Sequence, residues 1–301
     1  MVAPTQPLRI AVTGASGLIG TALVAHLRAD GHEVLRLVRR PAGAADEVTW
    51  DPVAGTVDLG RLAGVHAVVH LAGAGVGEHR WTAAYRKVIL DSRVQGTGTI
   101  ARAVAELDPA PGVLVSASAI GFYGDTGSRA VDETAPRGAG FLAEVVEAWE
   151  AAAEPARVAG VRVVHPRSGL VMARSGGAWA RLLPLFRLGL GGRLGNGRQY
   201  WSYITLQDEV RALTHLLDSE LAGPVNLTAP EPATNAEITK AMGASLHRPT
   251  LLPVPAIALK TVLGEFSSEV LGSARVRPAR LLADGFTFLH PDLVSAVATV
   301  S

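Results

Sequence analysis

Apolar and polar positions along this 301-residue chain fall into two textures. Up to about residue 166, short apolar runs alternate with longer amphipathic stretches. Leu8 to Thr13 (LRIAVT), Glu33 to Val38, Val65 to Ala72 (VHAVVHLA), Gly112 to Ala117 and Val161 to His165 predict strands, mostly of the kind buried on both faces in a parallel sheet. Between them the period changes. Helices are predicted over Leu18 to Arg28, where Gly31 ends the pattern, over about Thr82 to Leu107, and within residues 138–150 (GAGFLAEVVEAWE). Such alternation implies right-handed crossovers and a doubly wound α/β parallel sheet of the Rossmann type.

Beyond Pro166 glycine and proline become denser (GLGGRLGNGRQ, TAPEPAT, LLPVPA) and strand signals thin out. The division predicted is a Rossmann domain over 1–166 and a smaller C-terminal lobe for substrate over 167–301. The helix Gln207 to Leu217 and the strand Pro224 to Leu227 are regular enough to place about 203–230 back on the sheet.

Composition narrows the classes of function. With 28 basic and 27 acidic residues the net charge is +1, which points to no nucleic-acid partner and no polybasic membrane anchor. The chain has no cysteine, which excludes disulfides, thiolate metal sites and a thiol nucleophile and agrees with a reducing compartment. The opening MVAPTQPLRIAV has no charged segment followed by an apolar one, and no later run is apolar for long enough to span a bilayer. A cytoplasmic protein with a small polar ligand is the simplest expectation.

The turn after the first strand reads TGASGLIG, with glycines at 14, 17 and 20. Gly14 permits a tight turn out of the strand, Gly17 lets backbone approach a pyrophosphate, and Gly20 lets the helix pack on the strand. Ala15, Ser16, Leu18 and Ile19 complete the loop, whose helix end offers free N–H groups and a positive dipole to phosphate. An acidic residue closing the second strand would bind the ribose hydroxyls of NAD. This chain has LVRR instead, and the forked donors of Arg39 and Arg40 suit a 2′-phosphate, which favours NADP(H). The bland alternative for Arg40 is a solvated surface charge.

TGASGLIG, LAGAGVG, SASAIGFYGD and PRSGLV together resemble the extended short-chain dehydrogenase/reductase superfamily. More narrowly, RWTAAYRKVILDSRVQGT, FLAEVVEAWE, GLGGRLGNGRQYWSYI and RPARLLADGFTFLHPDL look like its NAD(P)-dependent epimerase-family subgroup, which carries a C-terminal domain of unknown function and has no assigned reaction. The resemblance implies a cofactor across the C-terminal strand ends, with the backbone of Leu71, Ala72 and Gly73 lining its adenine-ribose and pyrophosphate side. The nicotinamide would lie near the strand that ends at Ser116 to Ser118. Substrate would enter between the lobes, and the superfamily implies a homodimer through the two long helices of the first domain.

Most of that superfamily moves the substrate proton with a Tyr whose pKa a Lys one helical turn later lowers. The matching turn here carries Phe141 and Val145, which have no proton and no charge to offer. Phe141, Leu142, Val145, Val146 and Trp149 share one arc of the helix, and Glu144, Glu147 and Glu150 the opposite, solvated one. The candidate catalytic residues are therefore Ser118, at the functional end of its strand, and Tyr123, whose phenol would ionise more easily beside an oxidised nicotinamide. For Tyr123 the alternative is a loop tyrosine that shapes the pocket.

Arg167 follows a strand end, where its guanidinium would reach a cofactor phosphate or a carboxylate. Gln199, Trp201 and Ser202 form a substrate-facing set, with core packing as the alternative for Trp201. Arg93, in the subgroup's DSR segment, is a further substrate contact. His70 and His165 sit in apolar strands as core histidines, and no cluster has the spacing of a metal site. Two functions remain. One is an NADP(H)-dependent oxidoreductase or epimerase-like enzyme acting on a small hydroxyl or carbonyl compound, with a nucleotide-sugar-like compound as one candidate. The other is a non-catalytic NADPH-binding sensor or interaction protein, which needs the loop but no proton donor.

Overall fold

Runs that are apolar on both faces become the middle of a sheet. In the computed structural model, which describes residues 7–301, these are β1 (Arg9–Thr13), β2 (Glu33–Val38), β3 (Glu47–Asp51), β4 (Thr56–Val57), β5 (Ala67–His70), β6 (Val113–Ser116), β7 (Ser118–Ala119), β8 (Arg162–Ser168) and β9 (Gly223–Leu227). Residues 1–6, part of the stretch read for a leader, lie outside the described residues. The nine strands run in the order β9-β8-β6-β5-β1-β2-β3-β4, with β7 paired to β8, and all pairs are parallel except β3 with β4. Fold class and Rossmann topology are as the sequence predicts.

Odd and even positions of the strands feed two cores. Ile10, Val12, Val69, Val115 and Val164 pack against α1 (Leu18–Ala29), which contributes Leu23 and Leu27. Ala11, Val68, Leu114 and Val163 face the other way, onto Ile100 and Val104 of α2 (Ala83–Glu106). The predicted dyad helix is α3 (Phe141–Ala151), beside α2.

Past β8 lies α4 (Gly177–Arg187), and its Trp179, Leu183 and Phe186 build a third core with Met172, Tyr203, Ile238 and Met242. Next come α5 (Leu206–Asp218), which packs on α1 and shares the first core, then β9, α6 (Asn235–Leu246) and α7 (Ala256–Leu263). Residues 206–227 therefore belong to the sheet layers although they follow the lobe's first helix.

Strand order reverses beside β1, since β2 and β3 extend to one side and β5 and β6 to the other. There the chain is crowded enough to demand glycine. Gly14 turns at φ 65°, and a Cβ on it would stand 2.8 Å from the Leu71 carbonyl carbon. A Cβ on Gly20 would come 2.1 Å from the Gly14 carbonyl oxygen. Gly20→Ala is therefore expected to force α1 off the loop and cost about 1–3 kcal/mol, as overpacking does, read as a lower urea midpoint with an unchanged slope.

Candidate functional site

At the switch point the loop tip is open. Ser16 and Gly17 are exposed, Gly17 caps α1 without a side chain, and the first-turn N–H groups have no partner within the helix. Opposite stand Leu71, Ala72 and the exposed Gly73. Thr13 ties the two sides together, because its Oγ1 accepts from the N–H groups of Leu71 (3.1 Å) and Ala72 (3.2 Å). Its own proton is left for His70 Nδ1 at 2.8 Å, which places the imidazole proton on Nε2. Burial pulls His70 down to about 4, so it stays neutral. Thr13, His70 and Ser116 are register partners on adjacent strand ends, and Ser116 Oγ, fully buried, has no hydrogen-bond partner among the described residues. Free N–H groups, a glycine cradle and an unpaired hydroxyl fit a pyrophosphate-linked ligand crossing these strand ends.

One strand further, a buried charge organises the site. Arg167, 3% exposed, grips Glu150 of α3 with both ends of its fork, at 2.7 and 2.8 Å. Ser118 Oγ donates to the same carboxylate at 2.6 Å. On the other side Arg167 Nη1 donates to the Tyr123 hydroxyl at 3.0 Å, and that hydroxyl donates to Asn226 Oδ1 at 2.8 Å. The guanidinium also lies 3.5 Å from the Phe122 ring centroid. Two expectations are corrected here. Tyr123 is not a loop phenol poised to ionise: it is 3% exposed, and burial pushes its pKa up. Arg167 spends its fork on a carboxylate of the chain itself. Glu150 was missed, since the helix pattern assigns it to solvent. Among the described residues, Ser118 is thus joined to a half-buried acid that only the fold reveals.

The turn of α3 that carries Phe141 and Val145 is packed with apolar side chains. Phe141 meets Trp81 edge to face at 5.1 Å, and Val145 is buried with Trp81 and Ile89. Arg93 of α2 lies alongside Gly73 and donates to the Ala74 carbonyl at 2.9 Å. Its guanidinium sits 4.8 Å from the Trp149 ring, and burial lowers its pKa to about 10; it makes no salt bridge among the described residues.

The second-strand arginines differ from each other. Arg39 is exposed, whereas Arg40 holds Glu47 through two bonds of 2.8 and 2.6 Å. That carboxylate is held down to about 2, first by the Arg40 hydrogen bonds. Arg40 is therefore an exposed surface charge, as the alternative had it, but its fork is already engaged by Glu47. The set proposed to face substrate turns inward: Gln199 Nε2 donates to Leu194 O, Trp201 Nε1 to Val270 O, and Ser202 Oγ to Ala274 O. These groups pin residues 270–276 against the lobe, because buried donors must be satisfied and the nearest acceptors are backbone. The lobe also reaches the cleft rim. Gly176 rests on Leu18, Phe266 on Gly77, and Arg80 donates to Thr261 O at 2.8 Å. A groove of about 500 Å³ lies off the strand ends, between α1 and α5.

Residues 10–227 match the NAD dependent epimerase/dehydratase family, and 254–300 a domain of unknown function. The chain belongs to the NAD dependent epimerase/dehydratase family. An epimerase family protein of Mycobacterium bovis is 46% identical over 290 residues, 96% of this chain and 96% of that protein. The human epimerase family protein SDR39U1 is 35% identical over 300 residues, 97% of this chain and 99% of that one. A crystal structure of the human protein with NADPH superposes with a TM-score of 0.89 at 34% identity, covering 97% of this chain and 99% of that chain. The family's fold thus extends across both lobes.

Glu209 of α5, 1% exposed, touches the same strand ends through Ser168 at 2.5 Å, and its second oxygen has no partner among the described residues. Burial raises its pKa to about 7. Unfolded, it loses its proton near the ordinary carboxylate value, so between that pH and 7 the folded state binds the extra proton. Stability then falls as pH rises through this window, by about 2–4 kcal/mol, and stays low above it. Glu209→Gln is expected to flatten this part of the curve when urea unfolding is measured from pH 5 to pH 8.

Proposed function

We propose that the chain binds NADP(H) across the ends of β1, β5 and β6 and works as an epimerase-like oxidoreductase on a small hydroxyl or carbonyl compound. The observation that carries this reading is the uncapped α1 terminus set in its glycine cradle, one strand row away from Ser116 and Ser118. The human relative crystallised with NADPH supports the cofactor. Gly14, Ala15, Ser16, Gly17, Leu18, Ile19 and Gly20 hold the pyrophosphate, with Leu71 to Gly73 opposite. Arg39, free of intramolecular partners among the described residues, takes the 2′-phosphate, while Arg40 shapes the wall beside it through Glu47.

When bound, the nicotinamide supplies hydride exchange. The protein's part lies at the substrate oxygen. Ser118 spends its proton on Glu150, so its lone pairs face outward to accept from a substrate hydroxyl. A proton leaving that hydroxyl passes to Ser118 Oγ as the serine proton moves to the Glu150 carboxylate. Arg167 and Tyr123 keep that carboxylate in place. Arg93, a half-buried cation without a carboxylate partner among the described residues, favours a substrate with an anionic group.

The apolar packing of Phe141, Val145 and Trp81 favours a second reading, a binding protein without turnover. Single-turnover mixing of protein and NADPH with small carbonyl compounds, followed at the nicotinamide absorbance, separates the two. Ser118→Ala should slow oxidation about 10²-fold or more with NADPH affinity unchanged; no oxidation by the unaltered protein with any carbonyl class leaves the binding reading. In calorimetric titration Arg39→Ala should weaken NADPH about tenfold or more while sparing NADH. Equal losses would refute the 2′-phosphate assignment.

A further inference from the structure

The overall charge of +1 conceals a sharply uneven distribution. Residues 155–207 contain eight arginines and no carboxylate, and residues 238–264 contain Lys240, Arg248 and Lys260 and again no carboxylate. The fold lays parts of these stretches side by side. Val254 N–H donates to Arg193 O, Gly195 N–H to Val254 O, and Arg248 Nε to Arg187 O, while Gly189 touches Pro249.

Along these adjoining segments the chain exposes Leu185, Leu188, Leu190, Leu251, Ile257 and Val262, at 45, 72, 54, 84, 75 and 69%. The helix α7, AIALKTVL, is mostly apolar yet buries none of its residues. Around the patch stand the exposed cations Arg187, Arg193, Arg248 and Lys260. Glu265, at its border, is paired with Arg86. Monomeric soluble proteins seldom leave so many large apolar side chains together in water.

We propose that this face, α7 with the end of α4 and the strap 188–195, is a docking surface for an anionic lipid bilayer. Leucine and isoleucine side chains enter the acyl boundary while the arginines and lysine meet lipid phosphates, the pattern of an interfacial contact rather than a span. No helix among the described residues is long and apolar enough to cross a membrane. A second copy of the chain is the poorer occupant, because a two-fold contact would set Arg187, Arg248 and Lys260 against their own equivalents with no carboxylate between them. The cleft rim adjoins this face through the contact of Arg80 with Thr261.

The test is co-sedimentation of the full chain with vesicles of phosphatidylcholine alone, or mixed with phosphatidylglycerol. Binding is expected only to the anionic vesicles, and about tenfold weaker partitioning in high salt, in Arg187→Gln with Lys260→Gln, and in Leu188→Ser with Leu251→Ser. Thermal melting and NADPH titration of each variant show that the fold is kept. Failure of NADPH binding in the unaltered protein would affect the functional reading without touching this one. Equal partitioning to both vesicle types, or partitioning that the variants leave unchanged, would overturn the proposal. So would sedimentation analysis showing a dimer that Leu188→Ser dissolves, since the face would then belong to a second copy.

Discussion

A guanidinium buried at the end of β8 is the constraint around which the site is arranged. A charge taken out of water costs several kcal/mol unless it is paired and its donors are used. Arg167 meets that demand with Glu150 from α3, Tyr123 from the loop after β7, and the ring of Phe122. The satisfied network fixes the position of α3 against the sheet, closes the Tyr123 loop onto Asn226 of β9, and leaves Ser118 with an acid behind it. Removing Glu150 would leave the buried Arg167 without its carboxylate.

The second organising contact is steric. Gly14 and Gly20 let the loop, α1 and the Leu71–Ala72 backbone approach to distances that no side chain tolerates, and Thr13 holds them there. The same crowding that makes the cradle tight also makes it rigid. The cradle is therefore closely packed, whereas the C-terminal segments touch the cleft rim at a few points, Gly176 on Leu18, Phe266 on Gly77 and Thr261 on Arg80 among them.

Much of the first half was legible because burial on both faces of a parallel strand leaves a plain apolar run. β1, β2, β5, β6 and β8 all coincide with such runs, and α1 and α2 follow theirs within a residue or so. β3 escaped notice. Its five residues, EVTWD, carry acids at both ends, and Glu47 lies 3% exposed inside the sheet only because Arg36 and Arg40 come from β2 and the turn after it to neutralise it. Glu150 escaped for a related reason. It falls about 40° from Val146 on a helix that advances about 100° per residue, at the edge of the apolar arc, and nothing local says that an arginine 17 residues further along the chain will reach it.

By itself the sequence determined the strand and helix alternation, the glycine loop, and the apolar Phe141 and Val145 on the α3 face, since period, backbone freedom and residue type are local properties. Tertiary structure alone decided which polar groups are free. Tyr123, Gln199, Trp201 and Ser202 looked available and are committed to neighbours 69 to 103 residues away or to nearby backbone. Pairing energy depends on distance and desolvation, which come into being only when remote segments meet. The uneven charge also becomes a surface only when 187–195 and 248–260 lie together, for a potential is a sum over space and not over sequence.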